Sequence, residues 1–337
     1  MVNESGAVVT IEQNSGMRVT LALIGILIGA MLFLFYGPEE SSQITTLTAL
    51  LAIPAALGGL VTQYVDPSGL RSPMGCFFWP TLFFLTITGI AVAAFDEGAV
   101  CLVLVIPIWI PAAIAGGLVQ YLNARRRRRH AEQQQRRFYA SSWLLLPMLV
   151  MIWDQMWPVH WTNVSVERSI EIDASPEKIW PYLSSIRDIR ADEGIANFTH
   201  DVVGIPRPTE AILTRESDRT VRKAVWGESA RFEEVVQSVA PNREMTWAFS
   251  FPDTSIQEYT DRHISPAGPF LNIASGSYRL EPIGPDRTRL VLTTHYRMKV
   301  RLDGYFQWWG ERFLGDVQNN VLAIVKNRVS ADVGLNQ

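Results

Sequence analysis

Apolar residues are laid out along this chain in two regimes that meet near residue 160. Before that point they form long unbroken runs; after it they alternate with polar residues or recur every three to four positions. The runs Val19–Tyr36, Ile44–Val65, Gly75–Phe95 and Ala99–Leu122 reach or approach the roughly 20 residues a helix needs to cross hydrocarbon. Val19–Tyr36 lacks the marks of a cleaved leader. Glu4 and Glu12 outweigh the single Arg18 ahead of it, and no small-residue cleavage site follows. A fifth stretch, Phe138–Trp153, is shorter, holds Pro147, and leads into WDQMWPVHW, a tryptophan cluster suited to a headgroup layer. A short crossing is its favoured reading, and a helix lying in the membrane plane is the alternative.

Two of these runs repeat one another. Ile53–Val65 reads IPAALGGLVTQYV and Ile110–Leu122 reads IPAAIAGGLVQYL, which predicts a duplicated helical hairpin. The Gly-Gly pairs, and Gly25-x-x-x-Gly29, permit close helix approach within the chain or between copies of it, so an oligomer is open. Packing is the plainer role of the repeat. A path for a small molecule between the repeats would call for a charged residue in mid-span, and the first four runs carry none.

From Asn163 the period changes. Val164–Ile172 alternates, with Val166, Ile170 and Ile172 on one face and Arg168 intruding on that same face, at a strand end or toward a cavity. Ser175 and Pro176 are suited to the cap and first position of a helix carrying Ile179, Leu183 and Ile186, which Pro181 should kink or end early. Further strands are predicted at Glu210–Arg215, Thr220–Gly227, Arg231–Val239, Glu244–Phe251, Leu271–Pro282 and Thr288–Val300, separated by turn-forming residues. A closing helix is predicted over Gly304–Ser330, with Phe306, Trp309, Phe313, Val317, Val321 and Ile324 as its apolar stripe.

Charge turns the first half into a topology. Arg18, Arg71 and the run NARRRRRHAEQQQRR, with seven arginines between Arg125 and Arg137, fall in alternate loops, whereas the intervening loops carry Glu39, Glu40, Asp96 and Glu97. Basic loops stay in the cytoplasm, so the N-terminus and the arginine run are expected there. If Phe138–Trp153 crosses, everything after His160 lies on the other side. The expected setting is an integral protein of a bacterial plasma (inner) membrane, partnered by the lipid bilayer. With a net charge of -3 and an arginine run lying between two apolar runs, nucleic acid is excluded as a partner. The chain then divides into a tail (1–16), a four-helix membrane region (17–122), a basic cytoplasmic linker (123–137), a fifth helix (138–161), a folded domain (162–330) and a tail (331–337).

Residues 164–330 resemble the SRPBCC superfamily, also called START-like or Bet v 1-like, in the branch of polyketide cyclases/dehydrases and lipid transport proteins. The resemblance rests on IEIDASPEKIWPYL (Ile170–Leu183) and on GSYRLEPIGPDRTRLVLTTHYRM (Gly276–Met298) leading into the last helix. It implies an α+β helix-grip fold, a seven-stranded antiparallel sheet around a long C-terminal helix, following the all-α membrane region. It also implies an apolar cavity between sheet and helix, lined by Trp247, Phe249, Phe251, Tyr278, Tyr296, Met298, Trp309 and Phe313, with Arg168 as a polar member. The same aromatics would serve equally as a filled core.

No chemistry is legible beyond this. Cys76 and Cys101 lie in apolar runs without ligand spacing, and no His cluster, nucleophile motif or nucleotide loop is present, so no metal, cofactor or catalytic residue is assigned. Asp261-Arg-His263 reads as a solvated pair, and His295 should point away from the cavity face. Three functions remain: a membrane-anchored module holding a hydrophobic small molecule or lipid, a cyclase- or dehydratase-type enzyme on a hydrophobic substrate, and a regulatory or scaffold protein with a closed core.

Overall fold

The computed structural model describes residues 17, 19–29, 46–95, 99–129, 139–216, 218–259 and 265–335. The N-terminal tail, the second half of the first apolar run, the later part of the arginine run and Asp261–His263 lie outside the described residues. Two compact units follow one another, a helical one and, from His160, a strand-rich one.

The helical unit contains α1 (Val19–Gly29), α2 (Ile53–Val65, entered through a π-helical turn at Thr48–Ala52), α3 (Gly75–Phe95), α4 (Ala99–Arg129) and α5 (Tyr139–Met156). By length and composition two helices can cross a membrane, Thr48–Val65 and Val100–Arg126; Val19–Gly29, Gly75–Ile90 and Ser142–Met156 are shorter apolar helices. α4 continues past the predicted end at Leu122 into the arginines, because arginine is a good helix former and nothing there breaks the winding.

The repeated segments pack on each other reciprocally. Gly58 of α2 lies against the backbone of Ala113 in α4, and Gly116 of α4 lies against the backbone of Ala55 in α2. Neither position has room for a Cβ, which explains why glycine recurs in both copies. Gly25 and Gly29, by contrast, have no described atom within 4 Å of where a Cβ would sit. α5 runs antiparallel to α2. Near its start the Trp143 ring covers Gly59, and its Nε1–H donates to Gln120 Oε1 at 3.0 Å. Near its end the Asp154 carboxylate accepts from the backbone N–H of Leu47 and Thr48 at 3.3 and 2.9 Å, and from the Thr48 hydroxyl at 2.7 Å. A carboxylate there satisfies N–H groups that the first helical turn leaves unpaired and faces the positive end of the helix dipole.

The second unit is one antiparallel sheet closed by a helix. Its elements are β1 (Thr162–Ile172), α6 (Pro176–Ser184), α7 (Phe198–Asp201), β2 (Pro208–Glu216), β3 (Arg219–Trp226), β4 (Ala230–Ala240), β5 (Glu244–Ser250), β6 (Leu271–Gly284), β7 (Arg287–Met298) and α8 (Asp303–Leu335). The strand order is β1-β7-β6-β5-β4-β3-β2. α6 ends at Ser184, three residues after Pro181, so Ile186 leaves the predicted helix and bridges to Ala211. Phe251 falls one residue beyond β5. The short α7 and a 3-10 turn at Ser255–Glu258 carry too little periodicity to read from sequence.

Because every neighbour is antiparallel, the sheet has two distinct ends. The near end collects the start of β1, the end of β7, the start of β6, the end of β5, the β3–β4 turn and the start of β2, as the register Thr162↔Met298 and Leu271↔Met298 requires. α8 starts at this end, five residues after β7, and its far end packs on α6 through Tyr182 and Asp332. The far half of the concave face is filled: Ile172, Ile179, Leu183, Met245, Leu290, Leu322 and Val329 are all buried in one cluster. The near half is not.

Candidate functional site

A cavity of about 280 Å³ occupies the near half of the grip, between sheet and helix. Alternation on the strands builds its wall. Residues two apart point to one face, so β5 contributes Trp247 and Phe249, with Phe251 beyond it; β4 contributes Phe232 and Glu234, and β7 contributes Leu292, Thr294 and Tyr296. The opposite wall is α8, through Gly310, Phe313, Leu314, Val317, Gln318 and Val321 at helical spacing. Thr199, Ile205 and Pro206, around and after α7, close one side.

The wall is largely aromatic and internally packed. Ring centroids lie 5.4 Å apart for Trp226–Phe232, 5.9 Å for Phe232–Phe249, 6.1 Å for Trp247–Phe249 and 5.0 Å for Trp247–Tyr278, the offset and edge-on spacings that aromatic pairs favour. Two glycines make room for it. A Cβ at Gly276 would collide with the Trp247 indole, and one at Gly310 would collide with the Tyr296 hydroxyl.

Polar groups are few and mostly committed. Glu234 is buried and held by the buried Arg222 at 2.5 Å; the Arg222 guanidinium lies 5.8 Å from the centre of the Tyr278 ring. Gln318 spends its Nε2 on the Val166 carbonyl at 2.9 Å and on Thr294 Oγ1 at 3.0 Å. The Tyr296 hydroxyl is buried without a partner among the described residues, and burial, helped by the charge of Glu311, pushes its pKa up to about 12. α7 is stapled to α8 by Asp316, which accepts from the Thr199 backbone N–H and hydroxyl at 3.1 and 2.9 Å. His200, in the same turn, donates from Nδ1 to the Ile205 carbonyl at 2.8 Å, and burial lowers its pKa below the usual histidine value.

Of the residues proposed from sequence, Trp247, Phe249, Phe251, Tyr278, Tyr296 and Phe313 lie on the cavity wall, and three do not. Arg168 is on neither the wall nor a polar subsite. Its guanidinium rests on Gly315 of α8, where glycine leaves the space, and pairs with Glu311 at 2.6 Å. Met298 is buried with Val166, Tyr296 and Val300 behind the wall. Trp309 turns toward α7, stacked on Phe313 at 5.2 Å and facing Phe198 at 6.1 Å, because one step along a helix rotates a side chain by roughly 100° from its neighbour Gly310. His295 is exposed on the convex face. The wall residues that sequence reasoning missed are chiefly Trp226 and Phe232. Their strands were legible, but Glu234 breaks the apolar alternation and hides which face of β4 is inward.

This architecture matches a known family. The model for polyketide cyclase/dehydrase and lipid transport proteins, within the SRPBCC superfamily, matches residues 163–329. Residues 163–329 belong to this family. Solved structures to which the chain is similar cover about half of it. The ZhuI aromatase/cyclase from Streptomyces sp. R1128 is 15% identical over 52% of this chain and 96% of its own, with a TM-score of 0.32. A START superfamily protein from Mycobacterium smegmatis is 15% identical over 50% of this chain and 97% of its own, with a TM-score of 0.33. Norcoclaurine synthase from Thalictrum flavum is 13% identical over 50% and 94%, with a TM-score of 0.30. No curated protein matches the chain. The half-filled, half-hollow grip of the SRPBCC domain therefore stands on its own geometry.

Proposed function

We propose that this chain is a membrane protein whose SRPBCC domain holds a hydrophobic molecule in the near-end cavity. The void itself carries the reading. A space of about 280 Å³ walled almost wholly by apolar and aromatic side chains is unfavourable when only water occupies it. A domain of ordinary stability keeps such a space when something fills it, and the walls select an apolar guest. The space is nearly twice the roughly 150 Å³ void that accommodates benzene, so the guest is a fused-ring or short-chain lipid-like molecule. Glu234, the carboxylate on the wall, is already engaged by Arg222, which favours binding over acid–base chemistry.

The helical unit is the anchor in this reading. Two helices have the length and apolarity to cross, and the reciprocal glycine contacts suit helices packed in lipid. The antiparallel run of α5 along α2, from Gly59 to Thr48, supports a fifth crossing over an in-plane helix. With basic loops cytoplasmic, the SRPBCC domain then lies outside the cytoplasm.

The test uses the full chain in detergent, titrated with the fluorescent fatty acid cis-parinaric acid. Saturable binding that is lost in Val317→Trp, which fills the cavity, supports the proposal. Absence of saturable binding, or equal binding by the variant, overturns it.

A further inference from the structure

We propose that the near end of the SRPBCC domain docks on the headgroup layer of the bilayer, so that the cavity exchanges its guest with lipid directly; this rests on the membrane reading above. Three observations converge on that end. First, the tether enters there. Only Trp157–Trp161 separate α5 from β1, and at about 3.5 Å per residue they hold Thr162 within roughly 20 Å of the end of α5. Second, the end exposes apolar and aromatic side chains: Leu302 and Trp308 at the start of α8 are 37% and 60% exposed, Trp308 lying edge-on to Trp309, and Trp161 is 38% exposed beside β7. Third, basic groups accompany them. Arg297 lies over the Trp161 ring at 4.7 Å, and Lys299 and Arg301 follow on the same segment; Asp303 and, in the β3–β4 turn, the exposed Glu228 are acids at this end. Aromatic rings beside basic side chains suit the interface between acyl chains and anionic headgroups.

The position of the cavity gives the arrangement its use. The void reaches the near end through Leu271, Ile273 and Gly310, whereas the far half of the grip is solid. A guest leaving toward the docked end would meet lipid in place of water, so its apolar surface is not exposed in transit.

The experiment places an environment-sensitive nitrobenzoxadiazole dye on single cysteines in a Cys76→Ser/Cys101→Ser background. The full chain is reconstituted in phosphatidylcholine vesicles with or without phosphatidylglycerol and doxyl-labelled lipid. Dyes at Leu302→Cys and Trp308→Cys are expected to shift to the blue and lose intensity with doxyl lipid, more so with phosphatidylglycerol. A dye at Ile283→Cys, near the far end, should stay unquenched. Ile90→Cys in α3 separates the two ideas. If it is quenched while Leu302 and Trp308 are not, docking is overturned and the membrane reading stands. If it is not quenched, the membrane reading itself fails. Cross-linking between copies through Trp308→Cys without quenching would assign the surface to a second copy and also overturn docking.

Discussion

The buried pair Arg222–Glu234 brings charge to a cavity wall that is mostly apolar, and its energetics decide what a substitution there does. Both side chains are nearly inaccessible, so each depends on the other for compensation of a large desolvation cost. Arg222→Met strands a buried carboxylate and should destabilise the domain by about 3–5 kcal/mol. The double change Arg222→Met/Glu234→Leu removes both charges and should recover most of that loss. Thermal unfolding of the full chain in detergent reads the comparison, and a double variant as unstable as the single one would refute it. The same pair explains a gap in sequence reading. Glu233 and Glu234 are adjacent acids in the sequence, yet Glu233 stands at 3.8 Å from the exposed Arg219 while Glu234 is buried in the wall. Only the partner at position 222, one strand away, makes the inward glutamate tolerable, and strand pairing is not written in local pattern.

At the scale of elements, α8 determines how closely the grip closes, and it does so through small residues. Gly310 and Gly315 let the helix approach Tyr296 and Arg168. Gly310→Ala should cost about 1–3 kcal/mol by overpacking against the Tyr296 hydroxyl. Tyr296→Phe deletes a buried hydroxyl that has no partner among the described residues and should be near neutral or mildly stabilising. Combined, the two changes should be more stable than their separate effects add up to, because the added methyl then has space and alanine favours helix by up to about 1 kcal/mol. Strict additivity in unfolding measurements would show that hydroxyl and glycine are not coupled. These contacts also mark where sequence reading runs out. Period-2 and period-3.6 patterns delivered seven strands and the closing helix, since half-buried elements advertise their inner face. Which member of the helix stripe meets the void and which meets α7 depends on a rotation of one residue. Trp309 and Gly310 fall on opposite sides of that division, and a large aromatic was the natural but wrong choice for the wall.

Over the whole molecule, the legible part was the change of regime near residue 160 and the family signature beyond it; the void confined to one half of the grip was not. Aromatics that fill a core and aromatics that frame a cavity have the same pattern, and only the far-end cluster of Leu183, Met245 and Leu322 beside the hollow near end separates them. On the proposed membrane reading, α5 sets the sidedness. Asp154 at its end caps the helix that begins at Thr48, and Trp143 near its start meets Gln120, a few residues before the arginines. If the helical unit lies in a bilayer, the chain entering α5 beside the arginine run leaves it at the opposite surface. A reporter inserted within residues 130–138 and another after Gln337 should therefore give opposite readings, the first cytoplasmic and the second external. The arginines should also be the cause of that orientation. Replacing all seven between Arg125 and Arg137 by glutamine leaves only Arg18 and Arg71 to bias the first four helices. That variant should insert in mixed orientations, each reporter then scoring on both sides. Identical sidedness of the two reporters in the natural chain would remove the fifth crossing. Unchanged sidedness in the glutamine variant would show that orientation is set elsewhere, with Arg18 and Arg71 sufficient.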